Sequence, residues 1–196
     1  MKNLMILAVL FFALISLSVR AKTNVKTEID KANKAGKVVF LVVTEGNKDV
    51  ANAKSIAEKA SKSYKKSKVL TMDMNDKKNS TLISKYRLQG APMPLIIVIA
   101  TNGVVTGGSP ANQVKAEDLV NMIPTPKLEE LYASIADGKP TILAFTKKSF
   151  KDRTEVIKEC KKAISLLKNN ASLVEVNIDD SKEENFLKQL RIDKSS

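Results

Sequence analysis

No histidine occurs anywhere in the 196 residues. Its absence removes the commonest metal ligand, the commonest general base and the Ser-His and Cys-His nucleophilic pairs. Cys160 is the one cysteine, so no disulfide can form within the chain. Tryptophan is missing, and lysine outnumbers arginine 29 to 4. Arginine is the side chain suited to bidentate phosphate contacts, so no nucleic-acid partner is expected. An enzyme is not expected from such a set of side chains, nor is a cofactor or a bound metal.

Long apolar runs are also lacking beyond residue 21. Met1 to Ala21 differs: Lys2 precedes an apolar stretch from Leu4 to Leu17, and Val19-Arg20-Ala21 follows. This reads as a secretory signal peptide, residues 1–21, with cleavage after Ala21, although Arg20 between the small residues is unusual. The stretch is shorter than the roughly 20 apolar residues of a spanning helix, which favours removal over an anchor formed by residues 4–19. The expected location is therefore outside the cytoplasm, periplasmic or extracellular.

What the chain has is lysine and a globular share of apolar residues, 43%. The formal charge is +12, and loss of Lys2 and Arg20 with the leader leaves +10. Residues 22–125 carry 17 basic and 9 acidic groups, whereas residues 126–196 carry 14 and 12. The densest part is Lys54, Lys59, Lys62, Lys65, Lys66 and Lys68, opposed only by Glu58. Such a face could meet an anionic membrane surface or polyanion. The plainer reading is a solvated helix face in a lysine-rich chain.

Hydrophobic periodicity then gives the elements. Thr23 to Ala35 reads as an amphipathic helix stopped by Gly36, and Val38 to Thr44 as a buried, β-branched strand. Asp49 is a candidate N-cap for a helix with Ala53, Ile56, Ala57, Ala60 and Tyr64 on one stripe. Lys68 to Asn75 reads as a strand, and Asn79 or Ser80 caps a helix through Tyr86 that turns Leu82 and Ile83 inward. A loop with Pro92 and Pro94 feeds the apolar run Leu95 to Ala100. Asn102-Gly103 supplies two residues fit for a tight hairpin turn, and Ala116 to Ile123 closes the unit with a helix bearing Leu119, Val120 and Met122. The fold class is α/β: a right-handed βαβ crossover followed by a hairpin makes a small mixed sheet flanked by helices.

Val38 to Thr44, the helix from Asp49, the segment Tyr86-Arg87-Leu88-Gln89-Gly90-Ala91-Pro92-Met93-Pro94 and the Asn102-Gly103 hairpin together resemble the thioredoxin-like superfamily. The resemblance covers about residues 23 to 123 and gives a thioredoxin-like domain at 22–123. After a linker at 124–127 the pattern starts again, as a partial second thioredoxin-like domain at 128–196. Leu128 to Ala136 is a helix with Leu131 and Ile135 inward, ended by Gly138 as the first ended at Gly36. Thr141 to Thr146 repeats the strand. Phe150 to Leu167 repeats the long helix, with Phe150, Ile157, Cys160, Ile164 and Leu167 on one face. Leu173 to Ile178 repeats the second strand, and Phe186, Leu187 and Leu190 mark the last helix. Gly36 and Gly138 are 102 apart and Asn75-Asp76 and Asp179-Asp180 are 104 apart, which places two extra residues in the helix or its exit. The second unit reaches Ser196 without a proline loop or hairpin. A truncated product is the expectation taken here, and a partner that supplies the rest is the other reading.

The resemblance also says where chemistry belongs. Redox members carry Cys-x-x-Cys in the turn after the first strand, at a helix N-terminus that lowers the thiol pKa. Here the turn is Thr44-Glu45-Gly46-Asn47-Lys48-Asp49, and in the second unit Thr146-Lys147-Lys148-Ser149-Phe150-Lys151; neither has a cysteine. Exchange through that motif is impossible in this chain. Cys160 could act as a lone thiol beside Lys161 and Lys162, but its place on the Ile157-Ile164 stripe reads as core. The family's cis-proline shapes a groove for extended substrates. Counting forward from Tyr86 favours Pro92 for that part, whereas counting back from the hairpin turn, the stricter constraint, favours Pro94 with Met93 before it. Pro94 is the expectation taken, with Pro92 trans, and the other reading is that both prolines only stiffen the loop. Glu45, Asn47, Lys48, Ala91, Pro92, Met93 and Pro94 are therefore the candidate binding residues, for a peptide or protein in extended conformation. A solvated turn accounts for Glu45, Lys48 and Asp49 equally well. Gly107-Gly108-Ser109-Pro110 is no phosphate loop, and its glycines read as ending the hairpin. Asp179, Asp180, Glu183 and Glu184 lack calcium-loop spacing.

Overall fold

A computed structural model describes residues 24–46 and 49–192. The leader, residues 1–21, and the candidate residues Asn47 and Lys48 lie outside the described residues. β1, Val38–Thr44, is wholly buried, as its unbroken apolar run requires. On one side it pairs in parallel with β2, Ser67–Asp73, and on the other antiparallel with β3, Leu95–Ile99. β4, Val105–Pro110, completes a four-stranded sheet of order β2-β1-β3-β4.

Alternation along β1 sorts the core into two layers. Val39, Leu41 and Val43 pack with Ile29 and Ala32 of α1, Val25–Lys34, and Leu82 of α3, Ser80–Lys85. Val38, Phe40 and Val42 pack with Ala53, Ala57 and Ala60 of α2, Val50–Ser63, and Leu119 of α4, Ala116–Asn121. Small alanines on α2 let the helix lie close to the sheet. This mixed sheet between helices is the thioredoxin-like architecture that the sequence implies. Among the described residues no helix is long and apolar enough to cross a membrane.

Several local expectations change. Asp49 does not cap α2 through its side chain; it is in the left-handed region at φ 55°. Asn79 takes the N-cap position of α3, as expected, but makes no side-chain cap bond. Asp76 accepts from Lys78 N at 3.0 Å to start a 3-10 turn, Lys77–Asn79, while the buried Asn79 amide donates to the Asp73 carbonyl at 2.8 Å. Of the hairpin pair only Gly103 has positive φ, 85°. Its N–H donates to the Ala100 carbonyl and Ala100 N–H to Val104 O, so the loop has three residues, with Asn102 Oδ1 accepting from Val104 N. Gly107 and Gly108 lie inside β4 rather than ending the hairpin. A Cβ on Gly107 would come within 2.8 Å of Met122, and one on Gly108 within 2.8 Å of Ile97.

From Pro126 on, the order helix, strand, helix, strand, 3-10 turn, helix follows that of residues 25–85. α5, Pro126–Ala136, begins two residues before Leu128, because Thr125 caps it through Leu128 N and Pro126 is suited to the first helical position. β5, Thr141–Thr146, pairs in parallel with β6, Ser172–Asn177, and no other strand joins them among the described residues. α6, Arg153–Leu166, has the same 14 residues as α2. The two extra residues therefore divide, one in the turn before the helix and one after it. The last elements are a 3-10 turn, Ser181–Glu183, and α7, Glu184–Gln189. Backbone bonds recur with them: Met74 N to Thr44 O and Ile178 N to Thr146 O are both 2.8 Å, and Leu88 N to Ile83 O matches Ile192 N to Leu187 O at 3.0 Å.

Packing in this unit departs from the expected stripes. Ile135 is 59% exposed and not inward, and Leu167 is 52% exposed. Phe150 precedes α6, in a turn where Arg153 N donates to its carbonyl, and packs beside Phe145 and Phe186 instead of on the helix face. No residue of α6 is buried. Cys160 is therefore a half-exposed free thiol and not the core residue its spacing suggests.

Candidate functional site

The register of the first sheet builds the site. Val43 lies opposite Leu95 in the antiparallel β1–β3 pair, so Thr44 and the turn that follows it face Pro94 and the loop before it. The Met93–Pro94 bond is cis, which agrees with the assignment to Pro94 over Pro92. Ala91, Met93 and Pro94 are half-buried and Pro92 is exposed. Ala91 and Met93 rest on the α1-side core, and the Pro94 carbonyl accepts from Ala111 N at 2.9 Å, which ties the loop to the end of β4. No backbone bond from Met93 to another described residue is made. Its N–H and C=O thus remain able to pair with an extended segment. Glu45 is exposed across from them.

On the other flank of the turn, toward β2, lies a cavity of about 330 Å³, of mixed polar and apolar lining, that sequence reasoning missed. Asn24, Thr44, Gly46, Asp73, Asp76 and Asn79 are among its walls. Each is an N-cap, a strand end or a turn residue, so nothing in their spacing along the chain marked them as neighbours. Their polar groups are engaged locally: Asn24 Oδ1 accepts from Lys26 N, Thr44 Oγ1 donates to Met72 O, and Asp73 Oδ1 accepts from Asn75 N. The arrangement can hold water or a small polar group. Among the described residues no cluster of three or more metal-ligating side chains occurs.

Two electrostatic features frame the first unit. Glu28 accepts from Lys68, and from Lys31 at 3.1 Å, and these bonds hold its carboxyl below the usual 4.5. Lys68 is consequently not on the α2 face. It shares the α1 side of β2 with Leu70 and Met72, which leaves Lys54, Lys59, Lys62, Lys65 and Lys66 as the exposed set. Tyr86 has a buried hydroxyl without a partner, and burial together with Asp30 pushes its pKa up to about 12.

In the second unit the corresponding turn holds no thiol either. Glu175 accepts from Thr146 Oγ1 at 2.7 Å and from Arg153, and these contacts hold its carboxyl below its ordinary value. Glu183, of the acidic group near the C-terminus, is 2% exposed and accepts from Lys127 N at 3.1 Å, where it meets the N-terminal end of α5. Glu129 joins the two units: its Oε1 accepts from Thr101 Oγ1 and from Asn102 N, both at 2.6 Å.

No family model matches the chain, and no curated protein does. Among solved structures it is similar to a disulphide isomerase from Xylella fastidiosa Temecula1, at 17% identity and a TM-score of 0.32, over 61% of this chain and 93% of that one. The fold assignment rests on the strand order and register described above, not on that likeness.

Proposed function

We propose that the chain is an exported, redox-inactive protein of two tandem thioredoxin-like units, the second partial, that binds peptide or protein partners in extended conformation. The observation that carries this reading is the β1–β3 register, which lays a cysteine-free turn beside Met93, whose backbone N–H and C=O bond no backbone group of another described residue. An extended segment would pair with Met93 and pass Glu45. Chemistry at the turn is absent because no sulfur is there to be attacked or to attack. The test uses a reduced, carboxymethylated, unfolded protein as probe. Backbone amides at 91–95 gain protection from hydrogen exchange on binding, and Glu45→Lys changes the affinity. Unchanged exchange there would contradict the reading, as would insulin reduction that persists in Cys160→Ser.

A second reading, attachment to an anionic surface, is favoured by the exposure of Lys54, Lys59, Lys62, Lys65 and Lys66. It requires sedimentation with phosphatidylglycerol vesicles that weakens as salt rises. Binding indifferent to salt, or none, removes it.

A further inference from the structure

The turn that joins β3 to β4 carries an inference independent of the peptide site at Met93. Asn102-Gly103 is the one Asn-Gly pair in the sequence. Glycine has no side chain to shield its backbone nitrogen, so in this pair that nitrogen most readily reaches the side-chain amide before it. Asn102 is exposed.

What sets this asparagine apart is where its bonds go. Its N–H donates to Glu129 Oε1 at 2.6 Å, its Nδ2 donates to the Glu129 carbonyl at 3.1 Å, and Thr101 Oγ1 donates to the same Oε1 at 2.6 Å. These bonds clasp the turn of the first unit to α5 of the second. Within the turn, Asn102 Oδ1 accepts from Val104 N at 3.1 Å and Gly103 N donates to the Ala100 carbonyl at 3.0 Å. The amide and the nitrogen that would attack it are thus both held while the clasp is shut. Ring closure between them runs through turns that have opened.

We propose that Asn102 is a deamidation site whose rate is set by the Glu129 clasp and whose product undoes that clasp. Gly103 N attacks Asn102 Cγ; a C–N bond forms, the Cγ–Nδ2 bond breaks, and Nδ2 leaves as ammonia with the Gly103 proton. Water then opens the cyclic imide at either carbonyl, to give aspartate or isoaspartate. Neither restores the contact. Aspartate sets an anionic oxygen, in place of a donor, against the Glu129 carbonyl and brings a second carboxylate beside Glu129 Oε1. Isoaspartate lengthens the main chain of the turn by one methylene. Two cations lie nearby. Lys127 of α5 is paired with Glu130, and Lys85 Nζ, with Asn33 Nδ2, lies where a Cβ on Gly103 would point. Attraction from Lys85 replaces none of the bonds to Glu129.

The experiment ages the full chain in mildly alkaline buffer and follows the fragment containing Asn102 by mass spectrometry, which detects OH in place of NH2. The peptide Ala-Thr-Asn-Gly-Val-Val, which has no clasp, is the reference. Conversion at Asn102 is expected in the native chain, at least about tenfold slower than in the peptide, and at least about threefold faster in Glu129→Ala than in the wild type. Slow exchange of β1 amides, read alongside, shows that the variant is folded. The deamidated wild-type chain, separated from its parent by the added negative charge, needs no substitution. Its amides at 102–104 should exchange at least about tenfold faster than the parent's, as loss of one or two hydrogen bonds implies. Equal rates in wild type, Glu129→Ala and peptide would overturn the proposal. So would an unconverted native chain after the peptide is consumed, or unchanged exchange at 102–104 in the deamidated chain.

Discussion

The two halves of this molecule start from one plan and finish differently. β1 and β5 are equivalent, yet every residue of β1 is buried while only Ala144 and Thr146 of β5 are. The difference is the β3–β4 hairpin and α4, which cover β1 and α2 and have no counterpart among the described residues of the second unit. Among the described residues, all five large apolar side chains that stand exposed, Ile135, Val156, Leu166, Leu167 and Leu190, belong to the second unit. Burial therefore follows the neighbours an element receives more than its own pattern.

The largest expected contrast is between identical substitutions at matched leucines. Leu41→Ala, at a fully buried site, costs about 3–5 kcal/mol, and Leu143→Ala, half-buried, about 1–2 kcal/mol, measured by urea denaturation. Equal losses would break the comparison. Next comes overpacking. Ala57→Leu strains the closed α2–sheet contact by about 1–3 kcal/mol, and Cys160→Leu at the matching place changes stability by no more than about 0.5 kcal/mol. Tyr86→Phe deletes a buried hydroxyl that has no partner and is neutral or stabilises by up to about 1 kcal/mol. Because burial raises the folded pKa of Tyr86, the wild type loses stability relative to Tyr86→Phe as pH rises from the ordinary 10.0 through about 12, where ultraviolet absorbance should show Tyr86 ionise.

The smallest effect is on the acid side. The folded pKa of Glu175 is below 4.5, so its contribution is present above that value and is lost as pH falls through the lower one. Glu175→Gln should flatten the acid limb of the second unit's unfolding curve and leave Leu41-side signals unchanged. Glu28, held low by Lys68 and Lys31, does the same for the first unit. A mutation in either that moved both units equally would show the halves to be more tightly coupled than the Glu129 contacts alone imply.

Much of the fold was legible in the sequence because it is local. β-branched apolar runs marked β1 and β5 to the residue, and Gly36 and Gly138 each follow the end of a helix, α1 and α5. Counting back from the hairpin pointed to Pro94 where counting forward from Tyr86 pointed to Pro92, and the cis bond at Met93–Pro94 agrees with the former. What escaped reading depends on distant neighbours. Ile135 falls on a helical stripe, but its side of α5 meets no covering layer. Lys68 follows a run of lysines in sequence, but strand alternation moves it to the opposite face of the sheet. Gly107 and Gly108 resemble turn residues, and only the approach of Met122 and Ile97 explains why they lie within a strand. The cavity beside the Glu45 turn is assembled from caps and strand ends as far apart as Asn24 and Asn79, a proximity no periodicity records.

Amide hydrogen exchange of the native chain, read residue by residue in β1 and β5, tests the account most directly. Val39, Leu41 and Val43 should exchange only when the first unit opens. In β5 the pattern should alternate, with Ile142, Ala144 and Thr146 held by β6 and Thr141, Leu143 and Phe145 exchanging orders of magnitude faster than Leu41. Uniform slow exchange along β5 would contradict the contrast between β1, paired on both sides, and β5, which among the described residues pairs only with β6.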